Sequence, residues 1–298
     1  MEFIFVAIMR KILLFFTLFF QLSSYAQETN IHNYYFPGDD TNAMIGVKNC
    51  YIRKAPSTTA QILDSLQIGK EIKVIKSTEN GLKLKGISVS WAEIEYTNNF
   101  GVLTNGFIWK GFLAVGYAIN ENFKYLTTID KLEIKVEEEY EIQNFSISVK
   151  ILNSNNTVLD QKTFQKYLGE SFYFENKTIG SLGLSNLKDI YRISFNGEAC
   201  GIPSFYYYFG WNGKKIVQLL EKMNVWDADV FYHTENLIFP KEKGGKPDLI
   251  LKKTEEAEQT EENEGVYHIT EWDEEYKWTG EKISLLKKSK IKKYKKKL

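Results

Sequence analysis

Cysteine is nearly absent from this chain: Cys50 and Cys200 are the only two among 298 residues. They supply no disulfide framework and no Cys-x-x-Cys metal or redox pair. One bridge or two separate thiols are the readings left, and their separation places them in different parts of the chain. Histidine is as sparse. His32, His233 and His268 are widely scattered, so no spaced ligand set for a metal is present. Net charge is missing too. The 38 basic residues offset 38 acidic ones, so no whole-chain field draws nucleic acid. Phosphate-cradling and dinucleotide-binding glycine patterns are absent. No long amphipathic helical period stands out, and the apolar run from Ile12 to Phe20 is too short for a confident membrane span.

What the chain has instead is aromatic side chains, 15% of its residues, with only five prolines. Polar and apolar residues alternate at 71–75, 92–96, 131–136 and 145–151. Period two sets one face inward and the other in water, the mark of β-strands. Residues 153–156 read as a hairpin loop between Ile151 and Val158. The predicted class is all-β.

Arg10 and Lys11 precede the apolar run, and Ser24-Tyr25-Ala26 follows it with small residues at the minus-three and minus-one positions. The pattern predicts a signal peptide over 1–26, cleaved before Gln27. Met1 to Ile8 carry no positive charge, so translation is expected to start at Met9. The expected location is therefore exported, periplasmic or extracellular, with no stable membrane span after cleavage. A membrane-anchored N-terminus is the competing reading. Residues 27–43, with Pro37-Gly38-Asp39-Asp40, read as a turn-rich leader.

The second half repeats itself. Asp189-Ile190-Tyr191-Arg192-Ile193 precedes Trp211-Asn212-Gly213-Lys214-Lys215-Ile216, and Asp248-Leu249-Ile250-Leu251-Lys252 precedes Trp278-Thr279-Gly280-Glu281-Lys282-Ile283. In each copy an Asp-led strand leads to a Trp-x-Gly-x-Lys-Ile hairpin, whose glycine supplies positive φ for a tight turn. An acidic stretch at 255–264 is expected to be a mobile loop. The last twelve residues, 287–298, hold eight lysines. They read as a solvated tail, as a contact for an anionic lipid or wall polymer, or as a partner for the acidic stretch.

One segment carries a specific likeness. Tyr51-Ile52-Arg53-Lys54-Ala55-Pro56-Ser57 is followed by Ile68-Gly69-Lys70-Glu71-Ile72-Lys73-Val74-Ile75, then Trp91-Ala92-Glu93-Ile94-Glu95-Tyr96 and Gly106-Phe107-Ile108-Trp109. In order and spacing, residues 47–114 resemble bacterial SH3 (SH3b) domains. Phe107 stands where that family usually has Trp, and the loop from Thr97 to Thr104 is longer than common. The likeness implies a small SH3-like barrel over 44–115 that binds a wall peptide or an envelope protein. Residues 116–286 then form a β-rich domain of antiparallel hairpins, a partial propeller or a sandwich. The Asp-led hairpins look like blades of bacterial propeller-type repeats. Some of those bind calcium, but Lys241 to Asp248 lacks the oxygen cluster, so calcium is not carried over.

Within the barrel, Trp91 is expected to pack on Ile62, Leu66, Ile72 and Val74. Tyr51, Tyr96 and Trp109 are the candidate ligand-binding residues, with the 97–104 loop as one wall of their groove; Tyr51 and Trp109 have core packing as their other reading. SH3b domains often accompany cell-wall cysteine peptidases, and Cys200 with His233 is the one pair that would serve as nucleophile and base, with His268 as a substitute base. The Asp-Cys-Ser-Gly context of those enzymes is absent here. Phe205-Tyr206-Tyr207-Tyr208-Phe209 offers either core packing or exposed rings for sugar stacking. The reading is a non-enzymatic envelope binder with no cofactor and no nucleic-acid partner. A cysteine peptidase is one alternative, and recognition by the C-terminal β domain is the other.

Overall fold

In the computed structural model the described residues are 32–137, 140–228, 230–259 and 265–297. The signal-peptide and Met9 expectations lie outside them. The chain is almost entirely antiparallel strand, so the all-β class holds.

The first sheet has six strands: β1 (Thr41–Met44), β2 (Asn49–Arg53), β3 (Ile62–Gln67), β4 (Glu71–Leu84), β5 (Ile87–Thr97) and β6 (Leu103–Trp109). Their order is β1-β4-β5-β6-β2-β3, and the sheet curls into a half-barrel. Alternation explains its interior. Cys50, Ile52, Leu66, Ile72, Val74, Ala92, Ile94, Tyr96 and Ile108 all point to the concave side and form one buried cluster.

The second sheet is a meander of β7 (Gly116–Asn120), β8 (Phe123–Glu137), β9 (Tyr140–Asn153) and β10 (Val158–Tyr167). The turn expected at 153–156 is present. Asn153 Oδ1 accepts the backbone N–H groups of Asn155 and Thr157, and Asn156 takes a φ of 61°.

The third sheet has nine strands: β11 (Tyr173–Thr178), β12 (Asp189–Asn196), β13 (Ser204–Trp211), β14 (Ile216–Asp227), β15 (Phe231–Ile238), β16 (Leu249–Gln259), β17 (Val266–Trp278), β18 (Ile283–Lys288) and β19 (Lys292–Lys297). Both repeat hairpins form, with Gly213 at φ 91° and Gly280 at φ 87°. Trp211 and Trp278 are fully buried. The two copies do not make separate blades. Strand β14 pairs with β13 along its first part and with β15 along Val225 to Asp227, which fuses both copies into one sheet. The leading aspartates serve structure. Buried Asp189 accepts the backbone N–H groups of Gly180 and Ile190 and the Asn120 amide, tying β12 to the β7–β8 hairpin.

Three expectations need correction. The 27–43 leader is structured from His32 onward. The His32 N–H donates to the Ser88 carbonyl, its Nδ1 accepts the Ser88 N–H at 2.9 Å, and Tyr35 packs edge-on against Phe145 and Phe195. The lysine tail is not free. It forms β19, which pairs with β17, and Lys292 Nζ lies 3.0 Å from Glu271 Oε1. The acidic stretch is strand up to Gln259, because Glu255 to Gln259 continue the β16 ladder, while 260–264 lie outside the described residues.

Trp91 is buried, but not in the half-barrel. Ile87, Val89 and Trp91 occupy the opposite face of β5 from Ala92 and Ile94. They join Trp109, Tyr125, Phe145, Tyr191 and Trp211 in a cluster that runs through all three sheets. Strand β5 is therefore buried on both faces, and packing places no boundary at residue 115. Ile62, one of the expected partners of Trp91, is 47% exposed.

Burial, helped by nearby Lys83, holds the His32 imidazole below its ordinary pKa of 6.5, so the folded state favours the neutral ring. The unfolded chain takes up that proton first as pH falls. The contribution of His32 is thus complete above about pH 6.5 and declines below it, by no more than about 1.4 kcal/mol per pH unit. Urea unfolding at about pH 7.5 and about pH 5.5 checks this. His32→Gln is expected to remove the increment, and an unchanged slope in that variant contradicts it.

Candidate functional site

The three aromatic candidates do not form a groove. Tyr96 points into the half-barrel at 3% exposure, against Asp64. Burial, reinforced by that carboxylate, raises its phenol pKa. Trp109 is equally buried. Its indole N–H donates to the Leu82 and Val89 carbonyls at 3.0 and 3.1 Å, and its ring meets Phe112 edge-on. Only Tyr51 is at the surface, because alternation along β2 sends Cys50 and Ile52 inward and Tyr51 out. Tyr96 and Trp109 are packing residues, and a surface groove built from all three is corrected accordingly.

The loop expected to wall that groove is the most exposed apolar feature of the half-barrel. Strands β5 and β6 extend to Thr97 and Leu103, leaving a tight turn at its tip. Asn98 Oδ1 accepts the N–H groups of Phe100 and Val102, the Asn98 N–H donates to the Val102 carbonyl, and Gly101 supplies a φ of 77°. Phe100 is 91% exposed on this turn, with Val102 and Leu103 exposed beside it. An apolar residue inside a turn that Asn and Gly already satisfy was the available sequence signal.

Cys200 and His233 are not brought together. Cys200 is exposed in a hollow lined by Trp226 and Thr234, where the Gly201 N–H donates to the Trp226 carbonyl. His233, the neighbour of Thr234 on β15, points to the other face, where its Nδ1 is 2.9 Å from Glu256 Oε1. Its Nε2 lies 3.4 Å from Glu235 Oε1, without hydrogen-bond geometry. Glu235 in turn pairs with Lys252 at 2.7 Å. The imidazole is thus set between carboxylates rather than beside a thiol. Cys50 is free and buried, and burial pushes its thiol up to about 12, which keeps it protonated and unreactive. No disulfide joins the two cysteines.

Among the described residues no group of His, Cys, Asp or Glu is arranged to hold a metal ion. The aromatic run packs on both faces: Phe205, Tyr207 and Phe209 join the three-sheet cluster, while Tyr206 and Tyr208 pack with Leu219, Ile250 and Trp278 on the other side.

One concave feature escaped the sequence reading. On a single face of β15, β16, β17 and β19 lies a groove of about 720 Å³. Cross-strand register builds it from two rows. One row is Phe231, Glu258, His268 and Lys295; the next is His233, Glu256, Thr270 and Lys293. These strands are distant in sequence, and the pairing of the lysine segment with β17 is what brings them together. Comparison with models of protein families, with curated proteins and with solved structures finds no match to this chain.

Proposed function

We propose that the protein is exported to the bacterial cell envelope and binds there without catalysis. In this reading the half-barrel is an SH3b-type module, and it offers the β5–β6 hairpin tip to a wall peptide or a protein partner. The observation that carries the reading is Phe100, held almost fully in water on a turn fixed by the Asn98 side chain. An exposed large apolar side chain gains free energy when a partner covers it. A turn already ordered by hydrogen bonds loses little conformational entropy on docking.

The resemblance over residues 47–114 supports the SH3b assignment, and the small-residue site at Ser24-Tyr25-Ala26 supports export. The test is fractionation of the native host. The mature chain is expected in the envelope or outside the cell, beginning at Gln27, and to sediment with purified peptidoglycan or with an envelope-protein extract. A chain that still carries residues 12–20 in the cytosolic fraction contradicts the reading.

A further inference from the structure

The groove on the third sheet lies far along the chain from Phe100, and its chemistry is different. Its two rows run across the strands, so unlike charges face each other over β17. Glu256 and Glu258 on β16 form one wall. Lys293 and Lys295 on β19 form the other. Thr270 and His268 stand between them on β17.

Neighbouring strands lie about 4.8 Å apart, so the acidic and basic walls are set about 10 Å apart at the backbone. The two walls do not pair with each other in this structure. Among the described residues the side chains of Glu258, Lys293 and Lys295 make no ion pair and no hydrogen bond. Glu256 engages His233 through Oε1 only. The lysines have spare donors and Glu258 spare acceptors, all converging on one concavity. Beside the groove two lysines do find partners: Lys292 on β19 meets Glu271, and Lys288 on β18 meets Glu274 at 3.2 Å. Glu258, Lys293 and Lys295 bring their unpaired charges to the groove.

We infer that this groove binds a short peptide with both termini free, its ammonium held by Glu256 and Glu258 and its carboxylate by Lys293 and Lys295. The size agrees. An extended chain spans about 3.3–3.6 Å per residue, so a peptide of two or three residues bridges a gap of about 10 Å. Half-buried Phe231 closes one end of the first row and offers an apolar surface to a side chain. A ligand with one charge would satisfy one wall and leave the other facing it with an unmatched charge, so the zwitterion is the matched class.

Trialanine tests this, added to the mature full-length chain at low ionic strength and followed by calorimetry and by NMR shifts at His268 and Thr270. Trialanine with free termini is expected to bind at that face. N-acetyl-trialanine and trialanine amide are each expected to bind about tenfold more weakly or worse. In Glu258→Gln, acetylation of the amine should matter less; in the Lys293→Ala, Lys295→Ala double variant, amidation of the carboxyl should matter less. Because β19 is an edge strand, circular dichroism and retained shifts on β15 verify that the double variant is folded, and Glu258→Gln tests the same claim without touching that edge. Equal affinity for all three probes overturns the proposal, as does no response to millimolar trialanine. Neither result bears on Phe100, which lies on a different sheet.

Discussion

Replacing Trp91 with alanine is expected to cost about 3–5 kcal/mol, the usual cost of removing a large buried aromatic, and to weaken the whole chain rather than the half-barrel alone. The reason is its position. Trp91 is 4% exposed and sits on the outer face of β5, opposite Trp109 in register, in a cluster with Tyr125 and Phe145 of the second sheet and Tyr191 and Trp211 of the third. The cavity opens at a junction of all three sheets, where neighbours on separate elements relax only in part. Urea unfolding followed in parallel by far-UV circular dichroism and tryptophan fluorescence is the measurement. Both signals are expected to move together to lower denaturant. A half-barrel signal that shifts while the remainder stays in place contradicts a shared core.

This junction also shows what the sequence conceals. The strands themselves were legible, because period-two alternation and the Asn-Gly and Thr-Gly turns are local signals. Alternation marks Ala92 and Ile94 as inward-facing and the asparagines mark the 153–156 turn, whereas Tyr96, expected in a surface groove, points inward with them. The second buried face of β5 was not legible, since Ile87, Val89 and Trp91 share it with Glu93 and Glu95, and the small polar Ser88 and Ser90 stand on the other face. Their partners are His32 and Asn33, in a segment that reads as a loose leader. Similarly, Trp109 looks like an exposed anchor until its indole is seen to donate to carbonyls on β4 and β5. The same separation in sequence hid the groove. Eight lysines among twelve residues carry every compositional sign of a solvated tail, and only their register against β17 sets Lys293 and Lys295 opposite Glu256 and Glu258. Local chemistry was readable, whereas pairings between distant strands were not.

The most direct measurement of the proposed function is the affinity of the mature protein for its envelope fraction, with Phe100→Ser beside the parent. Phe100 is 91% exposed, and the turn that presents it is held by Asn98 and Gly101 rather than by the ring. Removing the ring should therefore leave the melting temperature unchanged. If the ring is the anchor that a partner buries, its loss removes a contact of about 2 kcal/mol, or roughly thirtyfold in affinity. The account predicts that binding falls by at least about tenfold at constant stability. Binding that is unchanged in Phe100→Ser, or lost only in proportion to stability, would place recognition elsewhere and contradict it.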